Sequence, residues 1–399
     1  MRMPSISEYL HTLEHPFGMF RTLGEPVAER DVYGKIKFRA GNSSAVFRLS
    51  DGRRNFMLKC YIRPKPRLRT IYDYVERNGS PLLPRQKIRP DEIYVYSDSG
   101  EAGWYDVVIG DWVEGNTLDR ELLRALTEGN RERLSELSEK FDRLCSALLR
   151  EEWAHGDLKP ENIVVTPDGN MTLIDCDALF IPALAGENAE EIGTPGYQHP
   201  ARGIHRYDKH IDDYPMALLS VGLKLLSLDP SFFDPQRDPG SLPFTPEELL
   251  TDKPPAWDAA CRTFAEAGAI THRRLLELLR SPDPSLENLE RFFAPGKESA
   301  EAPLHAFERN GRWGFADPTG KTIVEPLWDD VLDFHEEIAA VRIDHCWHYI
   351  DRRGELLFES SGYEAAGSFR NGTAKVRKNG ETRWIDRQGN EQPAPEPNK

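Results

Sequence analysis

From Lys35 to Tyr61 apolar and polar positions alternate. Val46, Phe47 and Leu49 lead to Asp51-Gly52, and Phe56, Met57 and Leu58 follow, which is the period-two pattern and turn dipeptide of a β-hairpin. The period then lengthens: Leu68, Ile71, Tyr72 and Val75 recur at helical spacing. Ile93–Tyr96 and Tyr105–Val113 read as two further strands, and Ile6–Leu13 as a helix packing on them, so the N-terminal part is an α+β lobe. Leu118–Leu149 is helical in pattern. A second hairpin follows, in which Asn162–Val165 and Met171–Ile174 flank Pro167-Asp168-Gly169-Asn170. From Tyr214 to about Phe293 helical spacing dominates, predicting a mostly helical second lobe.

Residues 294–305 lack periodicity and are rich in Ala, Pro, Gly, Glu and Ser near their start, as a linker is. Beyond them the pattern repeats. Trp313-Gly314-Phe315-Ala316-Asp317-Pro318-Thr319-Gly320 returns as Trp347-His348-Tyr349-Ile350-Asp351-Arg352-Arg353-Gly354. It returns again, more loosely, as Thr382-Arg383-Trp384-Ile385-Asp386-Arg387-Gln388-Gly389, at spacings of 34 and 35 residues. Trp328 keeps step with Tyr363, Phe334 with Phe369, and Val341 with Val376. This pattern is similar to the WG repeats found mainly in bacterial proteins, in two to two and a half copies. Aromatic and β-branched positions around Asp-x-x-Gly turns predict short antiparallel strands, each unit covering the apolar face of the next. The resemblance implies no catalytic role; the module is expected to recruit a protein partner or substrate, or to clamp the rest of the chain. Trp313, Trp347 and Trp384 serve either as core or as the lining of a binding groove.

Composition narrows the class. A chain of 399 residues exceeds one ordinary core and suits two domains. No stretch approaches the roughly 20 apolar residues of a membrane span. The start, Met1 to Leu10, lacks the sections of a signal peptide, so a cytoplasmic protein is expected. The five cysteines form no CxxC pair, against a disulfide framework or zinc ribbon. A net charge of -15 disfavours nucleic acid. Against it stands a basic segment, Arg63, Lys65, Arg67 and Arg69, followed by Arg85, Lys87 and Arg89, which is either a solvated face or a dock for an acidic partner or nucleotide phosphates.

The densest chemistry lies in His155-Gly156-Asp157-Leu158-Lys159-Pro160-Glu161-Asn162, with Asp175 thirteen residues beyond Asn162. Here the chain resembles the protein kinase family, and the resemblance implies a two-lobed fold, β-rich then mostly helical, that binds ATP and Mg2+. Phosphoryl transfer is mostly positioning and charge neutralisation. By resemblance Asp157 orients the attacking hydroxyl, Lys159 neutralises the transferring phosphate, and Asn162 and Asp175 are the metal ligands. The expected domains are an N-terminal extension (1–34), N-lobe and hinge (35–113), C-lobe (114–293), linker (294–305) and repeat module (306–394).

Upstream, Arg39-Ala40-Gly41-Asn42-Ser43-Ser44-Ala45-Val46 aligns with the glycine-rich loop over the phosphates, keeping only Gly41 of its glycines; Ser44 and Val46 belong to the same nucleotide site. Lys59 lies on the next strand, and a lysine on an apolar strand needs an anion. ATP phosphates and a carboxylate of the following helix are the expected partners, Glu76 being preferred over Asp73. Val108-Ile109-Gly110-Asp111-Trp112-Val113 resembles the hinge strand, with backbone groups of Asp111 and Val113 on the adenine edge. Gly110, where the family has a bulky residue, implies an enlarged back pocket.

Gly193-Thr194-Pro195-Gly196-Tyr197 resembles the end of an activation segment, and Thr194 with Lys159 is the serine/threonine pairing. Asp213, or Asp212 in competition, is expected to brace the catalytic loop. Three departures matter. Gly156 replaces the arginine that pairs with a phosphorylated loop, and Cys176–Gly193 holds no Ser, Thr or Tyr, so control by activation-loop phosphorylation is not expected. Asp177 replaces a glycine; on an extended strand it would share a face with Asp175, and either biases metal binding or is a solvated residue. Ala201 replaces the glutamate that closes the segment. The expected activity is ATP- and Mg-dependent phosphorylation of Ser/Thr in a protein substrate. The alternatives are a small-molecule phosphotransferase, favoured by Gly156, and a nucleotide-binding pseudokinase scaffold.

Overall fold

The computed structural model describes residues 2–96, 102–234, 242–267, 269–286, 289–293, 304–358 and 362–393. The chain divides into two compact units, one mainly Met1–Asn130 and Glu139–Met216, the other mainly Arg131–Ser138, Ala217–Gln236 and Ser241–Lys399.

In the first unit, helix α1 (Ile6–Glu14) starts where Ser5 and Glu8 form a reciprocal capping box, each side chain bonding the other's amide. Its Tyr9 and Leu13 are buried with Phe47, Leu58 and Ile93, and the Tyr9 hydroxyl donates to the Tyr61 carbonyl at 2.9 Å. The N-terminal segment is thus part of this unit's core. Strands β1 (Val27–Ala28), β2 (Phe38–Ala40), β3 (Ser44–Ser50), β4 (Asn55–Tyr61), β5 (Gln86–Val95) and β6 (Gly103–Asp111) form a sheet in the order β1-β3-β4-β6-β5, with β2 also paired to β3. The predicted hairpin is β3 and β4, turning at Asp51-Gly52, where Asp51 accepts the amides of Arg53 and Arg54. Helix α2 (Leu68–Asn78) buries Leu68, Ile71, Tyr72 and Val75, the four positions of the helical stripe, and packs on β5.

Strand β5 begins at Gln86, well before the Ile93 that the apolar pattern picks out. Pro90 and the basic residues mask it, and a register break between Arg89 and Ile93, with Asp91 at φ 46°, absorbs the irregularity. After the two-residue strand β7 (Asn116–Thr117) comes α3 (Leu118–Glu128). β7 pairs with β8 (Ile163–Val165), and β8 with β9 (Met171–Leu173), the second predicted hairpin.

The second unit contains the helices Trp257–Glu266 and Ile270–Leu278 and three small antiparallel sheets. The predicted linker falls at 294–303 outside the described residues. Strands begin at β10 (His305–Arg309), paired with β11 (Arg312–Ala316) and β12 (Thr322–Trp328). The second sheet joins β13 (Asp330–Val331), β14 (Ala339–Ile343) and β15 (Cys346–Ile350); the third joins β16 (Ala365–Ala366), β17 (Thr373–Lys378), β18 (Glu381–Asp386) and β19 (Glu391–Gln392). Each sheet has a two-residue hairpin turn at the same repeat position: Asn310-Gly311, Asp344-His345 and Asn379-Gly380, all at positive φ as this tight turn requires. Among the described residues no helix is long and apolar enough to cross a membrane.

Candidate functional site

In the first unit the sheet register sets one row of side chains across four strands: Val46 on β3 faces Lys59 on β4, Lys59 faces Val108 on β6, and Val108 faces Ile88 on β5. Paired residues share a sheet face, so Lys59 stands among apolar neighbours. Its side chain is 3 % exposed, and a buried ammonium must be paired. Its partners come from the segment after β9. Nζ lies 2.5 Å from Asp175 Oδ1 and 2.8 Å from Asp177 Oδ2. Burial, the largest influence, opposes its charge, yet the two carboxylates hold its pKa above the ordinary lysine value.

The helix carboxylate expected at Lys59 is elsewhere. Glu76 is exposed, with its Oε1 3.7 Å from Lys87 Nζ, and Asp73 faces Arg77 at 3.6 Å. The reason is register. Tyr72 takes the buried position of α2 that reaches this segment, its hydroxyl donating to Asp177 Oδ1 at 2.9 Å, and Glu76 falls one turn further along the helix. The Tyr61 hydroxyl donates to the same oxygen at 2.9 Å. Asp177 is therefore neither solvated nor on an extended strand with Asp175. Asp175 adopts the left-handed conformation (φ 66°, ψ 67°) and Cys176–Ala178 is a short 3-10 turn, which carries Asp177 inward while about half of the Asp175 side chain stays exposed. Neither Tyr61 nor Tyr72 stands out in the sequence, since a buried tyrosine reads as core.

The segment after Trp153 supplies the other groups. His155 is fully buried, and its Nε2 lies 2.8 Å from the Ile174 carbonyl. Asp212 accepts the backbone amides of His155 and Gly156, the latter at 2.9 Å, and so is the bracing aspartate; Asp213 instead meets His210 Nδ1 at 3.2 Å. Gly156 has φ 81°, and a Cβ there would lie 2.2 Å from the Ala178 carbonyl oxygen, so an arginine at this position is sterically excluded.

Asp157 Oδ1 accepts the Thr194 amide at 2.7 Å and the Thr194 hydroxyl at 2.8 Å. Its Oδ2 is 2.9 Å from Lys159 Nζ, and Lys159 also donates to Thr194 Oγ1 at 2.7 Å. Burial works against the Asp157 charge, but Lys159 and Thr194 hold its pKa below the ordinary carboxylate value. Asn162 Nδ2 donates to the Asp157 carbonyl at 2.9 Å, and the Asn162 carbonyl accepts the Ile174 amide at 2.9 Å, tying it to the residue beside Asp175.

Asn162 and Asp175 are oxygen donors, and among the described residues no group of three or more His, Cys, Asp or Glu side chains could hold a metal ion. Two protein oxygens with the remaining positions left to other ligands suit magnesium, which keeps waters and phosphate oxygens in its shell. The residues present therefore fit that ion.

Gly41 lies at the tip between β2 and β3, its amide bonded to the Ser44 carbonyl at 2.9 Å; Ser44 is buried at the start of β3. Asp111 ends β6, and Val113 lies just beyond it on the way to β7. Gly110 is close-packed against β5 and also borders open space. It pairs with Gln86 across β5, a Cβ there would lie 2.7 Å from the Gln86 Cβ and the Arg85 carbonyl, and buried Gln86 reaches the Cys176 sulfur at 2.7 Å. The open space bordering Gly110 is a cavity of about 700 Å³ lined also by Glu76, Lys87 and Arg89.

The basic segment leading into α2 and its first turn has partners within the chain. Lys65 lies 3.0 Å from Glu191; Arg67 lies 2.8 Å from Glu187 and donates to the Asn188 carbonyl at 2.6 Å; Arg69 lies 3.1 Å from Asp106. The acidic run 187–191 was missed in the sequence, although its charge complements that segment.

The second unit carries a separate signal. Residues 313–344 and 347–381 match the family described as WG containing repeat. No curated protein matches the chain. In both WG repeats the Asp-x-x-Gly turn is built alike: Asp317 Oδ1 accepts the amides of Thr319 and Lys321, and Asp351 Oδ1 those of Arg353 and Glu355. Asp386 accepts those of Gln388 and Asn390, so the looser third copy keeps the device beyond the matched residues. Trp328, Val341, Tyr363, Phe369 and Val376 are buried, as the repeat register implied. Trp313 packs on the cluster around Phe315 and Trp328, and Trp347 on a second around Tyr349 and Phe369. Trp384 is partly buried on β18. Inside this unit the guanidinium of Arg274 lies 4.4 Å over the Trp328 ring, and Arg273 pairs with Asp344 at 3.0 Å.

Proposed function

We propose that the chain is a protein kinase of serine/threonine type, using ATP with magnesium to phosphorylate a protein substrate. The observation that carries this reading is the convergence of Lys59 with Asp175, and of Asp157 with Lys159, Thr194 and Asn162, in one compact unit. Asp157 orients the substrate hydroxyl and takes its proton. Lys159 meets charge developing on the transferred phosphoryl group, and Lys59 holds the nucleotide phosphates against the row formed with Val46 and Val108. Asn162 and Asp175 would hold magnesium, which when bound neutralises the phosphate oxygens. Gly41 and Ser44 lie at the phosphate end of this site, and the backbone of Asp111 and Val113 meets the adenine edge. The WG repeats recruit a protein partner or the substrate, and the protein acts in the cytoplasm.

The unphosphorylatable segment Cys176–Gly193, held by Lys65 and Arg67, favours activity without activation-loop phosphorylation. The glycine forced at position 156 is compatible with a small-molecule phosphotransferase as well. Transfer from labelled ATP, offered generic proteins and small hydroxyl compounds, separates the readings. Protein labelling lost in Asp157→Ala and Asp175→Ala supports the kinase. Labelling of small compounds alone overturns it in favour of the second reading, and nucleotide binding without transfer overturns both in favour of a scaffold.

A further inference from the structure

We infer that Asp177 is the positioning residue for Lys59, doing from the metal-side loop what the helix carboxylate Glu76 was expected to do, with Tyr61 and Tyr72 fixing its carboxylate. The inference rests on the phosphoryl-transfer reading of the same site. A lysine that binds phosphate must be held by a second anion, because an unpartnered ammonium on a four-carbon stem is neither stable when buried nor fixed in direction. Asp175 cannot serve for this, since on that reading its exposed carboxylate is committed to the metal. Asp177 can. Its Oδ2 lies 2.8 Å from Lys59 Nζ, it is 8 % exposed, and its other oxygen accepts two tyrosine hydroxyls at 2.9 Å each. Both lone-pair directions are thereby assigned, and the carboxylate has one orientation.

The arrangement also changes what the helix contributes. α2 reaches the site through the neutral hydroxyl of Tyr72 and not through a charge. Movement of α2 would therefore loosen Asp177 without breaking the Lys59 pair outright. In a site where the helix carries the carboxylate, the same movement removes the pair. Gly110 and Gln86 belong to the same packing, because Gln86 bonds Cys176 between the two aspartates.

The test uses the full chain with ATP affinity and steady-state transfer measured for Asp177→Asn, Tyr72→Phe, Glu76→Gln, Lys59→Ala and the double variant Lys59→Ala/Asp177→Asn, with folding checked by thermal unfolding. Asp177→Asn is expected to raise KM for ATP and lower kcat/KM by about 10-fold or more while leaving KM for the acceptor unchanged, a split that loss of packing alone would not give. Tyr72→Phe is expected to lose about 3-fold and Glu76→Gln less than about 2-fold. In the double variant the loss should be no greater than in Lys59→Ala, since both changes remove one interaction. Additive losses, or a Glu76→Gln variant as impaired as Asp177→Asn, would overturn the inference. If the native chain binds ATP without transferring it, the kinase reading fails, and the affinity series alone decides on Asp177 by the same comparison. A native chain that binds no ATP overturns both.

Discussion

Asp212 receives the backbone amides of both His155 and Gly156 on its two carboxylate oxygens, although it is 2 % exposed and burial raises its pKa. One buried carboxylate thus fixes the residues immediately before Asp157. Asp212→Ala strands two buried N–H groups and is expected to cost about 3 kcal/mol or more of stability. Chemical denaturation checks it; a loss under about 1 kcal/mol would mean that the loop is held by other contacts.

Gly156 makes a complementary prediction. With φ 81° and the Ala178 carbonyl oxygen 2.2 Å from where a Cβ would stand, Gly156→Ala is expected to destabilise the chain by about 2 kcal/mol or more. Gly156→Arg is expected to give a poorly folded chain and not a phosphate-responsive one. Soluble expression and an unchanged denaturation midpoint for the arginine variant would show that the loop can yield.

The pairs between Lys65 and Glu191 and between Arg67 and Glu187 are partly exposed, so each contributes roughly 0.2–1 kcal/mol, and salt weakens them. Their combined effect is local. Amides of residues 187–191 are expected to exchange with deuterium faster in Arg67→Ala and in high salt, with no change at the buried strands. Exchange insensitive to both would leave this segment ordered by something else.

In the second unit, burial first and then Arg273 lower the pKa of His348 below 6.5, against the opposing pull of Asp344. The unfolded imidazole binds protons more readily than the folded one. Between the lowered value and 6.5, stability therefore rises with pH, and it falls as the medium is acidified through that window. Denaturation midpoints followed by tryptophan fluorescence should show this slope in the native chain and a flatter one in His348→Gln. Equal slopes would assign the pH dependence to another group.

Much of this cluster was legible because it is carried by short spacings. Asp157, Lys159, Asn162 and Asp175 lie within nineteen residues, and Lys59 is marked by its apolar strand. Asp177 was visible as a departure but not as a partner, since its contacts with Lys59 and Tyr61 span more than a hundred residues. Helix α2 showed its apolar stripe plainly. Which polar residue it turned inward depended on a tyrosine counted as core, and so the carboxylate assignment to Glu76 failed. The same limit hid the start of β5, where packing of Gln86 against Gly110 decides the backbone and no apolar alternation announces it. In the WG repeats, by contrast, the Asp-x-x-Gly turns satisfy their own backbone amides locally, and the sequence pattern carries nearly the whole structure.

The most direct measurement of the central claim is the initial rate of γ-phosphate transfer from ATP with magnesium to a protein acceptor, native chain against Asp157→Asn. Asp157→Asn is expected to lower that rate about 100-fold or more with ATP affinity retained, because on the proposed kinase reading Asp157 acts on the acceptor hydroxyl and not on the nucleotide. Equal rates in the two proteins would contradict it.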